Sequence, residues 1–330
     1  WSGVTGAYEV HGDIRGKWLA MGGPARFGMP TSDEQDVTGV AGKWNQFQNA
    51  NIYWSAVTTA HEMHGDILTK YLALGPATFG LPTTDETGVP GYGPGRKSEL
   101  LGATIYWSGV TGAYEVHGDI RSKWLVSGGP LVFGMPTSDE QDVTGVAGKW
   151  NQFQYANIYW SAATTAHEMH GDILTKYLAL GPATFGLPTT DETGVPGYGP
   201  GRKSELTGAT IYWSGVTGAY EVHGDIRGKW LAMGGPARFG MPTSDEQDVS
   251  GVLGAKWSQF QSANIYWSLT TGAHEVHGAI LAKYLVLGGP AGTLNRPISD
   301  EYSFGSGRRS DFVGGNIYWD ALVGAQATNW

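Results

Sequence analysis

The 330-residue sequence contains no cysteine. That removes disulfides, thiolate nucleophiles and cysteine-ligated zinc together. No stretch approaches the ~18 consecutive apolar residues that a membrane-spanning helix needs, so no span is expected. Positive charge is scarce: 21 Lys and Arg stand against 30 Asp and Glu, a formal net charge of −9. Phosphate recognition draws on a surplus of basic side chains, so a nucleic-acid partner is not expected either. The sequence opens at Trp1 without initiator Met or leader, and reads as a mature or trimmed product. A Trp- and Gly-rich, acidic, Lys-poor composition suits a secreted, extracellular protein.

Glycine is abundant, at 52, beside 14 Trp and 16 Tyr, as expected where turns join many short elements. Residues 52–66, running from Ile52-Tyr53-Trp54 to His64-Gly65-Asp66, organise the rest. Versions of this stretch start at Trp1, Trp54, Trp107, Trp160, Trp213 and Trp267, about 53 residues apart. The reading is one repeat domain over 1–330, with repeats 1–53, 54–106, 107–159, 160–212, 213–266 and 267–318. Residues 319–330 are a closing or capping segment. Two repeat types alternate: Tyr8, Tyr114 and Tyr220 stand in odd copies where His61, His167 and His274 stand in even ones.

Within a repeat, residues 46–54 read as a strand, 55–59 as a turn and 60–64 as the return strand. Asp66 is expected to cap a short helix whose apolar face carries Ile67, Tyr71 and Leu74. Trp18, Trp124 and Trp230 stand in odd copies where Tyr71, Tyr177 and Tyr284 stand in even ones, and read as core. Gly75-Pro76 ends that helix. Thr83 and Glu86 then have the spacing of a capping box. The tail aligns on residues 1–12, and its residues 316–319 are a candidate strand for the first repeat. That predicts ring closure, with a capped open array as the alternative.

Six copies of Phe-Gly-(Met/Leu)-Pro-Thr-x-Asp-Glu, the last reduced to Leu294-Asn295-Arg296-Pro297, accompany the Ile-Tyr-Trp hairpins. Motif and period together resemble the LGFP repeat family along essentially the whole chain, with Phe mostly where the family's name has Leu. Such arrays occur in exported actinobacterial proteins, often beside mycolyltransferases, amidases or esterases, and hold them to cell-wall polysaccharide. The resemblance implies a propeller-like carbohydrate-binding module. The fold class expected is therefore α+β: six repeats of β-hairpin plus short helix in a closed, propeller-like, pseudo-symmetric ring.

All nine histidines lie in the hairpins. Glu62 and His64 share a strand face and read either as a sugar-binding pair or as a brace at the strand-to-helix junction. Tyr8, His61, Tyr114, His167, Tyr220 and His274 vary with repeat type and are the better ligand candidates. Trp44, Trp150 and Trp257 occur only in odd repeats and are candidates for stacking on a sugar. Of Tyr53 and Trp54, on opposite faces, one is expected in the core and the other exposed as a stacking platform. A metal site using His61 and His64 is disfavoured, since residues three apart on a strand point to opposite faces. Asp33-Glu34 as a glycosidase pair is disfavoured too, because adjacent carboxylates rarely converge on one bond. The sequence thus predicts a monomeric, multivalent polysaccharide-binding protein with neither cofactor nor catalysis, a protein-interaction scaffold being the alternative.

Overall fold

Six four-stranded antiparallel sheets follow one another along the chain, at residues 35–64, 87–117, 141–170, 193–223, 247–277 and 302–329. They are seen in a computed structural model that describes residues 2–330. Helices α1 (Gly12–Ala20) and α2 (Gly23–Phe27) precede the first sheet. Its strands β1 (Gln35–Asp36), β2 (Lys43–Gln46), β3 (Ala50–Ser55) and β4 (Thr59–His64) pair in sequence order. Helices α3 (Gly65–Leu74) and α4 (Pro76–Phe79) complete the module.

Strand β3 shows why the module forms. Its alternating side chains are buried on both faces, Ile52 at 0% and Tyr53 at 2% exposure. Tyr53 clusters with Met63, Ile67 and Tyr71 of its own module and with Ile105 of the next sheet. Ile52 clusters with Ile14 and Phe27 of the preceding helices. Burying one such side chain stabilises by ~1.5–3 kcal/mol, and a one-residue slip would exchange the two faces. At the end of β4, Gly65 turns the chain into α3 with φ +54, a conformation that strains any side chain.

The chain divides into two compact units, residues 1–143 with 147–168, and residues 144–146 with 169–330. Within the first, Trp124 is fully buried between Tyr106 and Phe153. Within the second, Trp230 is buried between Tyr212 and Phe260, and Tyr284 between Tyr266 and Phe312. These are core positions expected from the helix periodicity, whereas Trp18, expected with them, is half-buried.

Several local expectations need correction. The module is larger than a hairpin plus one helix, having four strands and usually two helices. Residues 46–54 are not one strand: Phe47 is buried at 2% exposure, and a turn closed by its N–H to the Ala50 carbonyl at 2.8 Å separates β2 from β3. Asp66 is not the helix cap. The capping position is His64, in extended conformation and without a side-chain cap bond, and Asp66 lies in the first turn. Thr83 and Glu86 form no capping box, because the strand Thr87–Val89 follows rather than a helix. The Thr83 hydroxyl donates to the Glu99 carbonyl instead, at 3.2 Å. Finally, the tail strand Gly315–Asp320 is paired on both sides, with Gly307–Phe312 and Gly324–Asn329. It has no free edge to lend to the first repeat.

Candidate functional site

Where β4 meets α3, the chain builds an open pocket. His64, Gly65, Asp66 and Ile67 form its floor, Glu86 arrives from the motif turn, and Trp107 closes it from the next sheet; its volume is about 310 Å³. The same positions recur as His11, Gly12, Asp13, Ile14, Glu34 and Trp54 around about 240 Å³. They recur again as His170, Gly171, Asp172, Ile173, Glu192 and Trp213 around about 270 Å³. The sixth module repeats them around about 200 Å³, with Ala279 at the aspartate position and Arg308 added to the wall.

Two hydrogen-bonded pairs set the chemistry of the second module's pocket. The Trp107 indole N–H donates to Asp66 Oδ2 at 2.7 Å. Trp54 with Asp13, Trp160 with Asp119, Trp213 with Asp172 and Trp267 with Asp225 do the same at 2.7–2.8 Å. This fixes a half-buried indole at the pocket edge, tying one module's helix to the next module's sheet. Deeper in, His64 Nδ1 lies 2.8 Å from Glu62 Oε2 and 3.3 Å from Glu86 Oε2. Glu62 is fully buried, and its other oxygen accepts the Glu86 backbone N–H at 3.3 Å. Hydrogen bonding to these glutamates raises the pKa of His64, His117, His223 and His277, against burial, which lowers it.

The motif aspartate is a latch. Asp85 Oδ1 accepts the Glu62 N–H at 3.2 Å, and its Oδ2 accepts Lys17 Nζ of the preceding helix at 2.8 Å. Lys70 reaches Asp139 at 2.7 Å, Lys176 reaches Asp245 at 2.8 Å and Lys229 reaches Asp300 at 2.8 Å. Burial alone would raise Asp85; Lys17, the Glu62 amide and His61 outweigh it and hold the carboxyl below its ordinary value. Asp300, in the same setting, is held down at about 2.

Pockets alternate in one further respect. In even modules Arg96, Arg202 and Arg308 each bind the motif glutamate, Nε to carboxylate at 2.9 Å. At the same register, facing the pocket Trp, odd modules carry Lys43, Lys149 and Lys256. These pair instead with the exposed Asp36, Asp142 and Asp248. Without an arginine, burial pushes Glu140 and Glu246 above the usual carboxylate range.

The expected ligand residues fall in three places. Glu62 and His64 belong to the pocket, His64 in its wall and Glu62 beneath. The variable position does not line it. His61 Nδ1 lies 3.3 Å from Asp85, and His274 lies 3.3 Å from Asp300 and 2.8 Å from the Thr271 carbonyl. His167 lies 2.8 Å from the Thr164 carbonyl. Tyr114 and Tyr220 each sit under a lysine, Lys70 and Lys176, with Nζ 5.2 Å from the ring centre. Tyr8 is exposed. Trp44, Trp150 and Trp257 are half-buried and stack on Tyr53, Tyr159 and Tyr266 at 5.9 Å, outside the pocket linings. The residue missed was the Asp partner of the pocket Trp; the Trp itself is the candidate stacking platform that the sequence allowed for whichever of Tyr53 and Trp54 is not core. Period-2 alternation is the signal for that Trp, since it sends Tyr53 to the core and leaves Trp54 to the pocket. Among the described residues, no group of three or more His, Asp or Glu has metal-holding geometry.

The LGFP repeat family matches this chain seven times, at residues 1–25, 27–78, 79–130, 133–184, 185–237, 239–292 and 294–330. A comparison with curated proteins gives no match. Similarity to solved structures is remote. Virginiamycin B lyase from Staphylococcus aureus aligns at 9% identity over 90% of this chain and 83% of that one, with a TM-score of 0.13. The extracellular domain of a one-component system from B. thetaiotaomicron aligns at 9% identity over 90% of this chain and 36% of that one, with a TM-score of 0.16. Likeness at such scores carries no argument.

Proposed function

The chain belongs to the LGFP repeat family, and from that premise we propose that it is a multivalent carbohydrate-binding module without catalysis. Its ligand is cell-wall or other extracellular polysaccharide, and its setting is outside the cell, where the secreted monomer holds an associated protein to that polymer. The recurrence of one pocket carries the reading. Except in the sixth module, each has a half-buried indole fixed by an aspartate at its edge, with carboxylates and a histidine beside it. A sugar ring presents an apolar C–H face that packs on an indole, and hydroxyls that donate to carboxylates. Single pockets this open bind weakly, and repetition along one chain multiplies the avidity on a polymer. A closed, propeller-like arrangement of the modules is part of the proposal, and small-angle scattering tests it as a disc against an extended array.

Calorimetry against a panel of neutral oligosaccharides tests the binding claim. One or more should bind, and Trp107→Ala with Trp213→Ala should weaken binding about tenfold while the circular-dichroism spectrum is retained. A folded chain that binds none of the panel contradicts it. Exposed hairpin tips, including Val57, Val110, Val216 and Leu322 at 79–93% exposure, favour the scaffold as a second reading. In that case a partner captured from secreted fractions resists elution by sugars. A hydrolase finds less support, because both oxygens of the fully buried Glu62 are already occupied.

A further inference from the structure

The sixth pocket differs from the others at one position. Ala279 stands where Asp13, Asp66, Asp119, Asp172 and Asp225 stand elsewhere. In those five, the aspartate accepts the indole N–H across the pocket at 2.7–2.8 Å. Trp319 occupies the equivalent place, opposite Arg308 in register as Trp107 is opposite Arg96. Its indole N–H has no aspartate to meet.

What remains is a set of donors around about 200 Å³ of open space. The helix Gly278–Val286 starts at the pocket floor, with no side-chain cap and no acidic residue in its first turn. Its first-turn N–H groups lie at the positive end of the helix dipole. Arg308 lines this pocket, whereas Arg96 and Arg202 do not line theirs.

The charge balance also changes. Glu301 is matched by Arg308 at 2.9 Å and by His277 at 3.5 Å, and the buried Glu275 by His277 at 2.7 Å. With His277 protonated, two anions face two cations. At the second pocket three anions, Glu62, Glu86 and Asp66, are matched by two cations, His64 in the wall and Arg96 bound to Glu86 behind it. The framework therefore accommodates one more negative charge than the sixth pocket contains.

We propose that the sixth pocket binds a carboxylate-bearing ligand whose carboxylate takes the place of the missing aspartate, accepting the Trp319 indole N–H beside the first-turn amides. The five sister pockets are the internal precedent, since each holds a carboxylate at this position. Either a uronic acid unit of a glycan or a small free carboxylate presents the required group. The proposal stands apart from the neutral-glycan reading of the other pockets.

The test is NMR of the ¹⁵N-labelled full chain, following indole N–H signals during titration with acetate, D-glucuronate and D-glucose. Acetate and glucuronate should shift Trp319 saturably and leave Trp107 in place. Glucuronate binding about tenfold tighter than acetate identifies an acidic sugar as the ligand, and equal affinity identifies the free carboxylate. Ala279→Asp should abolish the acetate shift at Trp319, and Asp66→Ala should create one at Trp107. No saturable Trp319 shift with either carboxylate overturns the proposal, as does an unchanged response in Ala279→Asp. Glucose shifts at Trp107 without carboxylate shifts at Trp319 would sink this proposal and spare the general one.

Discussion

Thr59 and Thr165 adopt φ 64, where the odd copies place glycine at Gly6, Gly112 and Gly218. A β-branched residue in left-handed backbone is strained, and the Thr59 hydroxyl makes only a 3.3 Å contact to His61 in return. Thr59→Gly with Thr165→Gly should therefore stabilise the protein, by about 1 kcal/mol per site. Urea denaturation measures this, and a lower midpoint would contradict it. The pocket histidines make a second prediction. A folded pKa raised above the ordinary ~6.5 contributes stability that is complete below that value and lost as pH rises through the folded pKa. Glu140 and Glu246, also raised, act in the same direction. Asp85 and Asp300, held down, act oppositely: their contribution is present above the ordinary ~3.9 and lost as pH falls through the folded value. The thermal midpoint should thus peak between about pH 4.5 and 6 and fall on the alkaline side. His64→Gln and His117→Gln should flatten that fall; an unchanged slope would show that these contacts do not titrate.

Among the elements, what was legible depended on range. The helix face carrying Ile67 and Tyr71, the Tyr-for-Trp exchange at Trp124 and Tyr177, and the hairpin turn at Ser55 all follow from local periodicity. Features that depend on distant partners did not. The Thr-x-x-Glu spacing resembled a capping box, yet Glu86 is taken by His64 and Arg96 rather than by a helix terminus. Asp66 resembled an N-cap because its partner, Trp107, lies 41 residues away. His61 is a ligand candidate because it varies between repeat types, and its place in the fold is beside the latch: His61 contacts Asp85 where Tyr114 lies under Lys70. That latch is testable. Lys70 and Asp139 are half-buried, 69 residues apart in sequence, and joined at 2.7 Å with the ammonium over Tyr114. Lys70→Met should cost about 1 kcal/mol. Lys43→Met, which breaks the exposed pair with Asp36, should cost clearly less, because solvent screens that pair. Equal losses in the two variants would contradict the distinction between latch and surface pair.

At the scale of the whole molecule, six sheets of one design multiply a single site. The Trp and Asp of that site belong to neighbouring modules, so an isolated repeat would carry only half a pocket. The sequence alone exposed the repetition and the family, and offered as ligand candidates both the variable positions and the recurrent Glu62 and His64. The structure puts the pocket on the recurrent His-Gly-Asp and Trp. The most direct measurement is a titration of the labelled protein with the best-binding neutral oligosaccharide, observed at the indole N–H signals. Shifts at the pocket residues Trp54, Trp107 and Trp213, with Trp44, Trp150 and Trp257 unmoved, are the expected result. Shifts confined to Trp44, Trp150 and Trp257, or none at any tryptophan while the sugar binds, would contradict it.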